Sequence, residues 1–164
     1  MERKALLYFH FYLFYILLTL LHSNDLMNNK LFQSEIHLVI KGKGNLFFLY
    51  EKFYLEPSEV IINNKLQNSC KKNRTFEYDL NFVTIKFNKQ IESCELMFYG
   101  SSNIIEIDLS DFDTSKLTNM MSMFDQCINL EKITLDNINT SSVTNMNQVF
   151  HNCSKLTYLD VSSF

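Results

Sequence analysis

The chain of 164 residues has no Trp, one Pro and three Gly. So little glycine and proline excludes collagen-like and Gly/Pro-rich low-complexity architectures, and leaves turns to be made by Asn, Asp and Ser. There is no basic tract: 15 Lys and Arg are interspersed with 18 Asp and Glu, for a formal charge of −3. A large electrostatic footprint for nucleic acid is therefore not expected. Catalytic signatures are missing as well. Lys41-Gly42-Lys43-Gly44 lacks the spacing of a phosphate loop and reads as a turn, and there is no G-x-S-x-G elbow. His10 and His22 lie in or beside the opening apolar run, His37 falls on a strand pattern and His151 follows Phe150; none belongs to a paired motif. No C-x-x-C pair or His cluster points to zinc, and the acidic residues are scattered without spacing for acid–base work. The expectation is a non-enzymatic chain with no cofactor, no metal and no nucleic-acid partner.

What is present is uneven. The 46% hydrophobic content is concentrated at the start, where 16 of the first 22 residues are apolar. Glu2-Arg3-Lys4 precedes an apolar run from Ala5 to Leu21 broken only by His10 and Thr19. A basic n-region followed by an apolar h-region is the layout of a secretory signal. Seventeen residues of helix span about 26 Å, just short of a bilayer core, so a retained signal anchor is the alternative. Either reading for residues 1–22 sends the rest of the chain out of the cytosol, to a secreted or cell-surface location. Any membrane association would run through that segment if it is not cleaved.

Beyond residue 94 the chain repeats itself. Phe98, Phe124 and Phe150 stand 26 residues apart, and residues 98–123 share nine identities with 124–149, among them Asn103/Asn129, Ile107/Ile133, Leu109/Leu135 and Thr118-Asn119-Met120/Thr144-Asn145-Met146. Chance would give one or two. Self-similarity at this period marks an array of stacked units, none of which buries its apolar face alone. Leu130-x-x-Ile133-x-Leu135-x-x-Ile138 fits a leucine-rich-repeat pattern, with Ile104, Ile107, Leu109 and Phe112 as its first copy and Leu156, Leu159, Val161 and Phe164 as a partial third. The alternating core of each copy predicts a half-buried strand. Leu117, Met120, Phe124 and Val143, Met146, Phe150 recur at three- and four-residue steps and predict a short helical turn.

The phrase Leu117-Thr118-Asn119-Met120-x-x-Met123-Phe124-x-x-Cys127-x-x-Leu130, preceded by Leu109-Ser110-Asp111-Phe112-Asp113-Thr114-Ser115, resembles the BspA-like leucine-rich-repeat surface proteins, over about Ile91 to Phe164. The resemblance implies a secreted or surface-displayed α/β solenoid, with leucine-rich-repeat-like coils of parallel strands and short helical turns, and a role in adhesion or protein interaction. The domain reading is a leader at 1–22, a small β-rich N-terminal cap at 23–81 and the solenoid at 82–164, with a short first coil, two full copies and a partial one. No C-terminal cap is visible, and the alternative function is a truncated or vestigial structural fragment of a longer surface repeat protein with no ligand of its own.

In the cap, Ile36–Ile40 and Phe82–Phe87 read as strands, and Glu59–Ile62 with Lys65–Gln67 as a hairpin turned by Asn63-Asn64. Cys70 and Cys94 flank the second strand; they are either a disulfide staple or free thiols. Cys127 and Cys153 share a repeat position and read as buried thiols, with a disulfide as the alternative. Asn73 and Asn139 begin sequons on turn-like segments and are candidate N-glycosylation sites. A leucine-rich solenoid would present Glu106, Asp108, Ser110, Lys132, Thr134, Asp136, Tyr158, Asp160 and Ser162 on its strand face, as a binding surface for a protein or glycan at the cell surface.

Overall fold

The computed structural model describes residues 34–164; the leader or anchor expected at residues 1–22 lies outside them. Alternation sets the first strand, Ser34–Lys41 (β1): Ile36, Leu38 and Ile40 point into the core, and Glu35, His37 and Val39 point the other way. Gly44–Phe47 (β2) follows. Glu59–Ile62 (β3) and Lys65–Leu66 (β4) form the expected hairpin. Asn63 and Asn64 take φ of 49° and 64°, the left-handed pair that a two-residue hairpin turn requires. Asn73–Phe76 (β5) pairs antiparallel with β2 in a separate two-stranded sheet. Leu80–Phe87 (β6) buries Val83, Ile85 and Phe87 on the same side as the β1 residues, with Ile36 opposite Ile85 and Leu38 opposite Val83. Ile104–Asp108 (β7) and Lys132–Thr134 (β8) come from the two full repeat copies.

The main sheet has six strands in the order β4-β3-β6-β1-β7-β8. All of its pairings are antiparallel except β7 with β8, which run parallel with Ile107 beside Ile133. The sheet runs across the expected boundary at 81/82, since β1 hydrogen-bonds both to β6 and to the repeat strand β7.

The α/β solenoid expected from the repeat is not what forms. The described residues contain no helix, the strands build a mixed six-stranded sheet, and only two repeat copies contribute a strand to it. The partial third copy, from Phe150 to Phe164, contributes none. Nor is any described helix long and apolar enough to cross a membrane.

The reason lies in the backbone of the segments expected to be helical. Leu96, Ser122 and Gln148 have φ of 59°, 51° and 58°, and four residues later Gly100, Gln126 and Asn152 have φ of 68°, 60° and 57°. A left-handed residue at every fourth position cannot continue a right-handed helix. The segments instead form successive tight turns, closed by three-residue bonds such as Met97 N–H to the Cys94 carbonyl and Met123 N–H to the Met120 carbonyl. Such turns place apolar residues at the same three- and four-residue steps as a helix does.

These turns also bond between copies. The N–H groups of Cys94, Leu96, Phe98 and Gly100 donate to the carbonyls of Asn119, Met121, Met123 and Asp125. Those of Met120, Ser122, Phe124 and Gln126 donate in the same sense to Asn145, Asn147, Val149 and His151. These eight rungs run from the earlier copy to the later one, whereas at the start of each turn the Thr118 and Thr144 N–H groups donate back to the carbonyls of Glu92 and Thr118. Parallel bridges join Ser93 to Asn119 and Asn119 to Asn145. Inside, the aromatic ladder is filled: Phe98 and Phe124 stack at 5.7 Å, and Phe124 and Phe150 at 5.2 Å, with interplanar angles of 6° and 7°. Met97, Met120 and Met123 are fully buried around the ladder.

Candidate functional site

The face of the main sheet turned away from the core carries two rows of side chains. Strand pairing sets Thr84 beside His37, His37 beside Asp108 and Asp108 beside Thr134. Two residues along, it sets Phe82 beside Val39, Val39 beside Glu106 and Glu106 beside Lys132. Between β1 and β7 the register shifts at Val39/Ile40, a bulge of the kind that re-aims neighbouring side chains. The result is a shallow groove of about 260 Å³ lined by both rows. Its apolar end is Phe82, a residue 59% exposed, with Val39 beside it; its other end carries charge and hydroxyls.

Hydrogen bonds fix several of these groups. His37 Nδ1 lies 3.0 Å from Thr84 Oγ1. Asp108 Oδ1 accepts from the Ser110 N–H at 2.9 Å and the Ser110 hydroxyl at 2.7 Å. Partial burial pushes the Asp108 carboxyl up, but the two Ser110 hydrogen bonds, helped by His37 and Lys132, outweigh it and hold the group below the usual carboxylate range. Along the flank of the groove Lys86 pairs with Glu35 at 3.0 Å.

Thr84, His37 and Asp111 have the composition of a hydroxyl–imidazole–carboxylate relay, but their geometry does not suit one. His37 Nε2 is 3.7 Å from Asp111 Oδ2, beyond hydrogen-bonding distance. Thr84 also sits on a strand paired on both sides, so the neighbouring backbone N–H groups serve the ladders and not an oxyanion. Among the described residues, no group of three His, Cys, Asp or Glu side chains is placed to hold a metal. The groove offers hydrogen-bond donors and acceptors of both signs beside an aromatic ring, which is binding chemistry.

Of the residues expected on a strand face, Glu106, Asp108, Lys132 and Thr134 line this groove. Ser110 serves Asp108 from outside it. Asp136, Tyr158, Asp160 and Ser162 do not line it: they are exposed, and Tyr158, Asp160 and Ser162 lie in the third copy, which forms no strand. Asp160 repeats the Asp108 arrangement, accepting from the Ser162 N–H at 2.9 Å, and its carboxyl is lowered by the Ser162 side-chain and backbone hydrogen bonds. His37, Phe82 and Thr84 are groove residues the repeat could not indicate, because β1 and β6 lie outside it. The signal that could have found them is the alternation within those strands.

All four cysteines are free thiols, so the staple between Cys70 and Cys94 is not formed. Cys94 is fully buried, while Cys70 donates from a half-buried position to the Ser58 carbonyl at 3.3 Å. Burial pushes the Cys94 thiol up, Cys127 up to about 12 and Cys153 up to about 11. Asn73 opens β5 and is half-buried; Asn139 is exposed, and its side-chain oxygen accepts from the Ser141 N–H.

Residues 64–164 match the family described as "Mycoplasma protein of unknown function, DUF285". No curated protein and no solved structure matches the chain.

Proposed function

The chain belongs to the DUF285 family, and we propose that it is a non-catalytic binding module acting outside the cell, which takes a protein or glycan partner on the open face of its sheet. The observation that carries this reading is the groove that joins Glu106, Asp108, Lys132 and Thr134 to His37, Thr84 and Phe82. An exposed aromatic ring beside hydrogen-bonding groups of both signs is the composition of a small recognition surface. The leader-like sequence at residues 1–22 supports the extracellular setting.

The test is a binding screen of the folded chain against glycan arrays and extracellular-matrix proteins, followed by groove variants. Phe82→Ala and Asp108→Ala each weaken a genuine groove partner by about tenfold or more, the usual size of an interface anchor. Both residues are surface-facing, so the variants keep the fold, which circular dichroism verifies. A partner indifferent to both substitutions removes the groove from the reading. Localisation is tested separately, by protease accessibility of the chain on intact cells.

A further inference from the structure

A second concavity, which shares no residue with the groove, lies where β2 and the loop after it meet the first repeat turn. Two hydrogen bonds tie these segments together: Tyr50 N–H donates to the Met97 carbonyl at 2.9 Å, and Asn103 Nδ2 donates to the Phe47 carbonyl at 2.8 Å. They bring Phe47, Tyr50 and Tyr99 to one cavity of about 290 Å³, completed by Glu51, Gly100 and Ser101.

Three aromatic residues and one acidic residue thus line one space. The rings of Tyr50 and Tyr99 meet at 5.2 Å with an interplanar angle of 63°, forming two adjoining walls. Gln126 Nε2 donates to the Tyr99 hydroxyl at 2.7 Å and fixes that wall. Phe47 is 42% exposed and stands as the third wall, open to solvent. At Gly100 an added Cβ would meet nothing within 4 Å, so that side of the cavity is open. No Lys or Arg lines the space. The Lys72 ammonium donates to the Glu51 backbone carbonyl at 3.2 Å and to the Phe53 carbonyl, and is paired with the Glu56 carboxylate at 3.1 Å, which leaves the Glu51 carboxylate without an ion pair among the described residues.

We propose that Phe47, Tyr50, Tyr99 and Glu51 form a cradle for a quaternary ammonium group, the trimethylammonium head of a choline-type ligand. A cation within about 6 Å of a ring centroid is attracted by the negative face of the π-system, and two rings 5.2 Å apart can both reach one cation. A methylated ammonium has no strong N–H donors to leave unsatisfied against apolar walls, while its charge answers Glu51. A primary ammonium carries a tight hydration shell, and an anion meets the Glu51 charge; the cradle disfavours both. The same head is presented by free choline and by phosphatidylcholine.

The test is calorimetric titration of the full chain with choline, with tetramethylammonium and with 3,3-dimethylbutan-1-ol, the uncharged isostere of choline. Choline and tetramethylammonium bind about tenfold tighter than the alcohol, the increment expected of cation–π and carboxylate attraction. Phe47→Ala, which removes an exposed ring, and Glu51→Gln each weaken choline several-fold, whereas Tyr99→Phe, which keeps the ring, largely preserves binding. Flotation with phosphatidylcholine and phosphatidylglycerol vesicles separates the sources: selective flotation with the former assigns a lipid head, and choline binding without flotation assigns a free ligand. Absence of choline binding, equal affinity for the alcohol, or choline binding untouched by Phe47→Ala and Glu51→Gln overturns the proposal.

Discussion

The thiol of Cys127 donates a hydrogen bond to the carbonyl of Phe98, 3.1 Å away, and one copy later the Cys153 thiol does the same to Phe124 at 3.1 Å. The two cysteines are therefore joints between copies, each held in its protonated form by its setting. Ser101 occupies the same repeat position one copy earlier, and its buried hydroxyl has no partner among the described residues.

Thiol titration should follow from that setting. The folded-state values of Cys127 and Cys153, about 12 and about 11, lie above the ordinary 9.0, and burial raises Cys94 in the same direction. A raised value means that the folded state holds its proton longer than the unfolded chain. The resulting stability is complete below about pH 9 and is lost as pH rises towards 11 and 12, by on the order of 1 kcal/mol per pH unit for each fully buried thiol. Urea midpoints measured from pH 8 to 10.5 should fall accordingly. In native protein at pH 8, a thiol-reactive disulfide should modify Cys70 first and leave Cys94 and Cys127 intact until urea is added.

The aromatic ladder predicts a steep cost at its middle rung. Phe124 is fully buried between Phe98 and Phe150. Phe124→Ala should destabilise by about 3–5 kcal/mol in equilibrium urea unfolding. Phe124→Leu, which restores most of the volume but not the stacking, should cost roughly 1–2 kcal/mol.

Left-handed residues at the turns predict the opposite sign. Gln148 has φ of 58°, is exposed, and its side-chain oxygen accepts a long 3.4 Å bond from the Ser122 hydroxyl. Gln148→Gly should leave stability unchanged or raise it by up to about 1 kcal/mol, because glycine meets no Cβ penalty there. Gln148→Val should lower it by a similar or larger amount. Thermal melts of the two variants would show the order reversed if the turn were an ordinary right-handed one.

Asp108 predicts a pH dependence on the acid side. Its carboxyl is lowered in the folded state, so its contribution is present above the unfolded value near 3.9 and disappears as pH falls through the lowered folded value. The stability gap between the native chain and Asp108→Asn should be constant from pH 7 to 5 and close below about pH 4. Solvent screening at this partly exposed site keeps the gap under about 1 kcal/mol.

Much of the sheet could be read from the sequence. Ile36-x-Leu38-x-Ile40 and Val83-x-Ile85-x-Phe87 alternate cleanly, and Asn63-Asn64 marks a hairpin turn. The turns of the repeat could not be told from helix, because stacked tight turns closed by three-residue bonds reproduce the spacing of Leu117, Met120 and Phe124. Only the backbone signs at Ser122 and Gln126 distinguish the two, and neither residue type announces a left-handed conformation. The repeat indicated Glu106, Asp108, Lys132 and Thr134 as one face, since period two fixes which side chains share a side. It could not indicate that β1 and β6 would lie alongside, because antiparallel partners about 40 to 70 residues away leave no trace in a local pattern. The repeat likewise gives no sign that its third copy forms no strand, so its spacing places Tyr158, Asp160 and Ser162 with residues they do not join.

The predominantly forward hydrogen bonding between the repeat turns has a consequence for how molecules can meet. Because the rungs from residues 94–100 and 120–126 send their N–H groups forward, and only Thr118 and Thr144 at the start of each turn donate backward, a turn has a mainly donor margin and a mainly acceptor margin, like the two sides of a zip. Two molecules approaching by the same margin, related by a two-fold axis, would set N–H against N–H or carbonyl against carbonyl and repel. Symmetric edge-to-edge pairing along the forward-bonded part of these turns, the usual hazard of an uncovered β edge, is therefore disfavoured by backbone polarity.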